Sequence, residues 1–331
     1  MVDNSMLKEI KVEDAVGYTL AHDLTKIIPG EFKGRIFKKG HVIQKEDIPE
    51  LLKIGKEHIY VLNIKEGYLH ENDAAYRLAK AIAGKNVLLD EPHEGKITLT
   101  SKIFGLVKVN ETLINQINSI PDLALATVFN NKVVQPGGKL AGTRALPLII
   151  EEEKVNRAEA LLEGKIAIEV KEFKKSKVGL VTTGSEVYKG RIKDRFGPIV
   201  KKKLNYFGSD VVEQRFVPDD VELIKREIEY FLKQQVDIIM LTGGMSVDPD
   251  DRTPYAIREM STKVVTQGTP ILPGSNLMIA YNNDTPILGL PGGVLHDPYT
   301  SFDVVLPRIL ANDPITKEEI NRSGYGGYYG C

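Results

Sequence analysis

The sequence predicts an α/β fold whose core is a parallel sheet on the C-terminal side, from Val178 to about Asn312. Three segments, "VGLVTT" (178–183), "DVVEQRFV" (210–217) and "VDIIML" (236–241), have the length and side chains of strands. The first and third are near-continuously apolar, as expected of strands covered on both faces. Between the strands lie two stretches with helical spacing. Ile192, Phe196, Ile199, Val200, Leu204 and Phe207 form one stripe, and Val221, Ile224, Ile228, Phe231 and Leu232 form the other. Strands alternating with amphipathic helices are the pattern of a doubly wound α/β domain.

The preceding elements are smaller. "GRIFKKGHVIQKEDIPELLKIGKEHIYVL" reads as strand, helix, strand, with Ile48, Leu51 and Leu52 on one face and Gly55 as the helix stop. "DAAYRLAKAIAG" predicts a second helix, with Asp73 as N-cap and Gly84 as its end. Beyond Lys85 the pattern is mostly β. "GKITLTSKIFGLVKV" alternates, and "NKVVQPGGKLAG" reads as strand, turn, strand around Gly137-Gly138. "VNRAEALLEGK" is a short helix and "KEFKKSK" a basic joint. The expected organisation is an N-terminal α/β region (1–84), a mostly-β domain (85–175), the parallel α/β domain (176–312) and a flexible Gly- and Tyr-rich tail (313–331).

A chain of 331 residues exceeds one ordinary core, and 42% hydrophobic with 27% charged residues is the composition of a globular protein. The formal charge of −1 gives no overall field to recruit nucleic acid or an anionic membrane. Cys331 is the only cysteine, so no disulfide forms within the chain. With no stretch of signal-peptide or membrane-span character, the expected location is the cytoplasm. Six scattered histidines, without HExxH or Cys-rich spacing, disfavour a soft-ligand metal site. His296 reads as structural. A bound metal would be hard and oxygen-liganded, with Mg2+ first.

The chemistry concentrates in three glycine turns, each directly after an apolar strand: "TTGSE" (182–186), "LTGG" (241–244) and "GLPGG" (289–293). In a parallel sheet all three fall at the carboxyl edge, where open α/β domains bind ligands. Glycine admits close approach of the backbone, and its exposed N–H groups bind oxyanions. The residues expected to hold such a ligand are Thr183, Gly184, Ser185, Asp194, Thr242, Gly243, Gly244, Ser246, Pro291, Gly292 and Gly293. Acids follow the first two turns: Glu186, then Asp248, Asp250 and Asp251. Glu186, Asp248, Asp250 and Asp251 are the acids that could hold a magnesium ion bridging the ligand's phosphates. One or two acids could instead be helix caps, because Pro254 suits a first turn just after Asp251.

These residues carry a family resemblance. Val178 to Asn312 resembles the molybdopterin-binding domain of molybdenum-cofactor biosynthesis proteins, which implies a three-layer α/β/α fold. "TTGSEVYKGRIKD" is similar to that family's TG-x-E-x-x-x-G-x-I-x-D entry, "LTGGMSVDPDD" to its TGG-x-S-x-G-x-x-D turn, and "GLPGG" to its LPG-N-P turn. "RIFKKGHVIQKEDIPELLKIGKEHIYV" resembles the segment preceding this domain in MoeA/gephyrin-type molybdenumtransferases. These insert molybdenum from molybdate into adenylylated molybdopterin with magnesium, and Glu186 and Asp251 match acidic positions of their active site. The chain departs at Asp248, where the family has glycine, at Gly293, where it has asparagine, and in lacking "SxxDGYA". "DRFGP" and "DRTPYA" look more like MogA-type adenylyltransferases, and "GGMSVDPDDRT" resembles the CinA-type hydrolase domain.

The resemblance implies a molybdopterin-binding protein of molybdenum-cofactor biosynthesis, with Mg2+-dependent molybdenum insertion as the leading reaction. Its ligands would be molybdopterin or adenylylated molybdopterin, with molybdate as a further partner and self-association common among relatives. The alternatives are a CinA-like nucleotide pyrophosphate hydrolase, a MogA-like adenylyltransferase and a non-catalytic molybdopterin carrier or sensor.

Overall fold

The computed structural model describes residues 7–28, 32–62, 64–93, 95–246 and 251–330, so Asp248 and Asp250 lie outside the described residues. Contacts divide the chain into two compact units, Met1–Ile103 with Val107–Val170, and Phe104–Leu106 with Lys171–Cys331. Among the described residues no helix is long and apolar enough to cross a membrane.

Among its described residues the first unit has a smaller and a larger core. Ile10, Leu20, Ile43, Leu51 and Val61 pack in the smaller one, around the antiparallel strands Leu7–Lys11 and His58–Leu62. The larger core joins the helix Glu71–Ile82 to strands that include Lys96–Ser101 and Lys139–Ala145. Its apolar face, Ala74, Ala75, Leu78, Ala79 and Ile82, is fully buried there. A boundary at residue 84 therefore falls on the wrong side of this helix, whose spacing shows an apolar face but not which core receives it.

Asp73 does not cap that helix. The N-cap is His70, whose Nδ1 accepts from the Asn72 amide at 3.2 Å. The next residue, Glu71, is buried and ion-paired with Lys39. His70 is 8% exposed and its Nε2 makes no hydrogen bond. Burial, with the Lys39 ammonium nearby, lowers its pKa from 6.5 to about 4.

The second unit is built on a six-stranded sheet in the order Asp210–Val217, Lys177–Thr183, Ile238–Thr242, Thr285–Leu290, Met278–Asn282, Lys263–Gln267. The first four are mutually parallel, and the last two add an antiparallel edge that the apolar runs did not announce. All five residues of Ile238–Thr242 are buried, as a central strand requires. The helix Val221–Lys233 starts with the Asp220 carboxylate accepting from the Leu223 amide at 3.0 Å. It buries Ile224, Ile228 and Phe231 along one stripe. Phe231 lies flat on Gly179, where a Cβ would stand 2.5 Å from the ring, so only glycine admits the helix this close.

Alternation along Lys177–Thr183 assigns the layers. Gly179 and Thr183 face the helices Val221–Lys233 and Thr253–Glu259, whereas Thr182 faces the side of helix Phe196–Tyr206. The domain is a three-layer α/β/α sandwich, as the alternation of elements predicts. Ile192, the expected start of the helical stripe, lies outside the helix and is 57% exposed.

The segment read as a flexible tail carries structure. The Thr316 hydroxyl and Glu319 carboxylate form a capping box on the helix Lys317–Arg322, and Ile315 and Ile320 are buried. Buried Arg308 donates to Asp313 at 2.8 Å and to Glu319 at 3.0 Å, tying this helix back to the domain. Glycine richness suggested disorder, but these glycines serve close packing, as shown below.

The buried His70 predicts a pH dependence of stability. Its folded pKa lies below the unfolded value, so above pH 6.5 both states are neutral and it contributes nothing. As pH falls from 6.5 towards about 4, the unfolded chain gains the proton first and stability declines. His70→Asn keeps a capping acceptor but removes the titration. Its urea midpoint should fall less than that of the wild type between pH 7 and about 4.5.

Candidate functional site

The strand ends are level. Thr182 pairs with Thr242, and Thr242 pairs with Leu290. The three glycine turns therefore leave the sheet side by side at its carboxyl edge, at the usual strand spacing of about 5 Å.

In the first turn, Gly184 adopts φ 135° and its amide donates to the Val217 carbonyl at 3.1 Å. The chain then enters the one-turn helix Ser185–Tyr188, which carries Glu186 in solvent. In the second turn, Gly243 and Gly244 have φ 91° and 55°, and the backbone folds onto the end of the first strand. A Cβ on Gly243 would stand 2.2 Å from the Thr183 carbonyl oxygen, and one on Gly244 would stand 2.9 Å from Thr253 Oγ1. The Thr183 and Thr253 hydroxyls, both buried, meet at 3.1 Å beneath this turn.

In the third turn, Pro291 is buried, and Gly292–Leu295 form a single 3-10 turn. Gly292 is exposed, and a Cβ there would meet nothing within 4 Å. It is the most open backbone of the three turns.

Asp219, which the sequence reading passed over, joins the first two turns. Its Oδ2 accepts from the Ser185 amide at 3.0 Å, and its Oδ1 lies 3.5 Å from the Cβ position of Gly244. The signal was available in "VPDD", since Asp220 alone caps the following helix. An acid left over directly after a parallel strand belongs at the same edge as the turns.

Thr183, Gly184, Ser185, Gly243 and Gly244 come together, and Pro291, Gly292 and Gly293 follow the neighbouring strand. Thr242 is buried and donates to Thr182 Oγ1 at 3.2 Å. Asp194 is not at the turns' outer face. It accepts from the Phe196 and Gly197 amides at 2.9 and 3.0 Å and from Gln214 Nε2 at 2.6 Å. Gln214 Nε2 also reaches Thr182 Oγ1 at 3.0 Å. Asp194 thus anchors the start of helix Phe196–Tyr206, and a Cβ on Gly197 would clash with its Oδ2 at 2.4 Å.

Ser246 is exposed and Asp251 half-buried at the other end of the undescribed stretch 247–250. Asp251 directly precedes Arg252, the N-cap position of helix Thr253–Glu259, with Pro254 in the first turn. Among the described residues no group of three or more His, Cys, Asp or Glu is placed to hold a metal ion. Asp248 and Asp250, the other two acids expected to hold magnesium, lie outside them. His296 is exposed, its amide closing the 3-10 turn by donating to Gly293 at 3.0 Å.

Residues 179–311 match the family described as "Probable molybdopterin binding domain". Residues 9–63 match one described as a domain of unknown function, DUF8806. A molybdopterin molybdenumtransferase from Synechococcus elongatus is 25% identical over 176 residues, covering 50% of this chain and 44% of that protein. A CinA-like protein from Petrotoga mobilis is 38% identical over 80 residues, covering 24% of this chain and 20% of that protein. The chain thus spans less than half the length of these curated relatives. Among solved structures, the molybdopterin biosynthesis enzyme MoaB from Thermus thermophilus is 26% identical with a TM-score of 0.36, covering 40% of this chain and 91% of that one. The similarity to molybdopterin-binding domains covers the part of the chain that bears all three turns.

The turns differ in what they tolerate. Gly243→Ala places a side chain at positive φ against the Thr183 carbonyl, and should cost about 2 kcal/mol or more of stability. Gly292→Ala meets nothing and should stay within about 0.5 kcal/mol of wild type. Urea unfolding of the two variants against wild type measures the contrast.

Proposed function

We propose that the second unit binds molybdopterin or its adenylylated form, and that the protein works in molybdenum-cofactor assembly. The observation that carries this reading is the alignment of three glycine turns on adjacent parallel strands. That arrangement presents backbone N–H groups at one edge, suited to the phosphate of a ligand. The family match over the same residues supports the choice of a pterin ligand.

The roles follow from the chemistry of each group. Backbone amides at Gly243, Gly244, Gly292 and Gly293 would hold anionic oxygens without a side chain intervening, whereas the Gly184 amide is taken by the Val217 carbonyl. The Asp219 carboxylate, already an acceptor for the Ser185 amide, suits the N–H donors of a heterocycle. Glu186 and Asp251 offer hard oxygen donors of the kind Mg2+ takes, and this ion commonly rests on one or two carboxylates together with substrate phosphates. When bound, Mg2+ would neutralise charge developing on a phosphate during transfer. Molybdenum insertion is the transfer we favour, because the lead-in around Gly40 to Leu62 resembles the molybdenumtransferases. The alternative is pyrophosphate hydrolysis, favoured by the higher identity, over a shorter stretch, to CinA-like proteins and by the likeness of "GGMSVDPDDRT" to their hydrolase domain.

Calorimetry separates the readings. Molybdopterin should bind more tightly than ADP-ribose, and Mg2+ should strengthen its binding. Gly292→Ala, with wild-type melting, should weaken the pterin about tenfold, equivalent to about 1.4 kcal/mol. Asp251→Ala should fold normally and lose the effect of Mg2+. Hydrolysis of ADP-ribose with no measurable pterin affinity would overturn the proposal in favour of the pyrophosphatase.

A further inference from the structure

The C-terminal segment leads back towards the third glycine turn. After helix Lys317–Arg322, the chain lies along Pro270–Leu272. Leu272 donates its amide to the Gly327 carbonyl at 2.8 Å, and Tyr329 donates to the Leu272 carbonyl at 2.7 Å, in a short parallel bridge. The glycines make this seat. A Cβ on Gly327 would stand 2.3 Å from the Ser323 carbonyl oxygen and 2.9 Å from that of Pro270. One on Gly324 would stand 3.2 Å from Pro270 Cβ, and Gly326 turns the chain at φ 77°. The Tyr329 ring packs on Tyr299 with centroids 4.8 Å apart.

The loop held in this way touches the third turn. Ser301 donates its amide to the Pro273 carbonyl at 3.0 Å and its hydroxyl to the Gly274 carbonyl. A Cβ on Gly274 would lie 3.3 Å from Pro291 Cγ. One on Gly293 would lie 3.6 Å from the Gly274 nitrogen and 3.7 Å from Pro273 Cβ. The tail is thus bonded to Leu272, and the Pro273–Gly274 backbone that follows lies close beside Pro291 and Gly293.

We propose that residues 324–330 form a strap that positions the third glycine turn, so that ligand affinity at the turn depends on a segment that does not contact the ligand. The affinity part rests on the molybdopterin reading; the positioning part does not. Gly292 itself is open, and the turn that begins there is flanked by helix Phe196–Tyr206 on one side and by the loop that the strap holds on another.

Hydrogen exchange on the ligand-free protein tests the positioning. Four variants suffice: a chain ending at Ser323, Gly327→Val, Tyr329→Phe and Tyr325→Ala, the last at a fully exposed ring. The first two should exchange about tenfold faster over residues 291–296, with strand Ile238–Thr242 unchanged. Tyr329→Phe keeps the ring contact and should behave as wild type, as should Tyr325→Ala. In parallel, molybdopterin affinity should fall about tenfold in the first two variants only.

Faster exchange at Leu272 with none at 291–296 would overturn the strap. If truncation and Gly327→Val accelerate exchange in the central strand as well, Tyr329→Ala, which removes only the ring contact, decides by the same comparison. If the wild-type protein binds no molybdopterin, the binding reading fails, and the exchange result still decides the strap.

Discussion

The second glycine turn folds directly onto the end of the first strand, and the candidate site depends on that contact. At Gly243 the backbone is so close to the Thr183 carbonyl that no side chain fits. The same approach brings Thr253 under the turn to meet Thr183, and leaves Gly244 within reach of the Asp219 carboxylate. Parallel pairing makes the contact possible, because it ends both strands at the same level. A side chain at Gly243 would push the turns apart and separate the amides they present together.

What the sequence revealed, and what it did not, follows from how local the deciding interaction is. Burial on both faces writes itself into a strand as continuous apolarity, so Lys177–Thr183 and Ile238–Thr242 were legible. The edge strands Met278–Asn282 and Lys263–Gln267 pair antiparallel and read less clearly beside their turn residues. The helix Glu71–Ile82 was legible as a helix, but its cap was not: His70 is a rare capping residue, and Asp73 has the commoner chemistry. At the site, the glycine turns stood out because positive φ restricts residue choice. Asp219 did not, since one aspartate of a pair resembles any helix cap until the other is seen to fill that role.

Glycine itself was ambiguous in the same chain. In "LTGG" its place after a strand suggests close approach, and in "SGYGGYYGC" its abundance suggests flexibility, although a Cβ would fit at neither Gly243 nor Gly327. Each sits where a Cβ would lie closer than 2.5 Å to a carbonyl oxygen. Composition cannot separate the two uses, because the unfolded chain gains the same freedom from glycine either way. The separating feature is a partner: Thr183 in one case, Ser323 and Pro270 in the other.

Charge completes the reasoning about the ligand. On the proposed reading, Glu186 and Asp251 join Asp219 near turns whose amides suit an anion, and two like charges about 4 Å apart would repel by about 4 kcal/mol at an effective dielectric of 20. Asp219 already faces the Ser185 amide, so its remaining oxygen is best met by a ligand N–H. Glu186 and Asp251 bring further carboxylate oxygens, and a divalent cation between them and the phosphate would remove the repulsion. A ligand with a donor-rich ring at one end and a phosphate at the other uses both halves of the edge. A plain inorganic anion uses only the amides, which is why the proposed pterin should gain more from Mg2+ than phosphate alone.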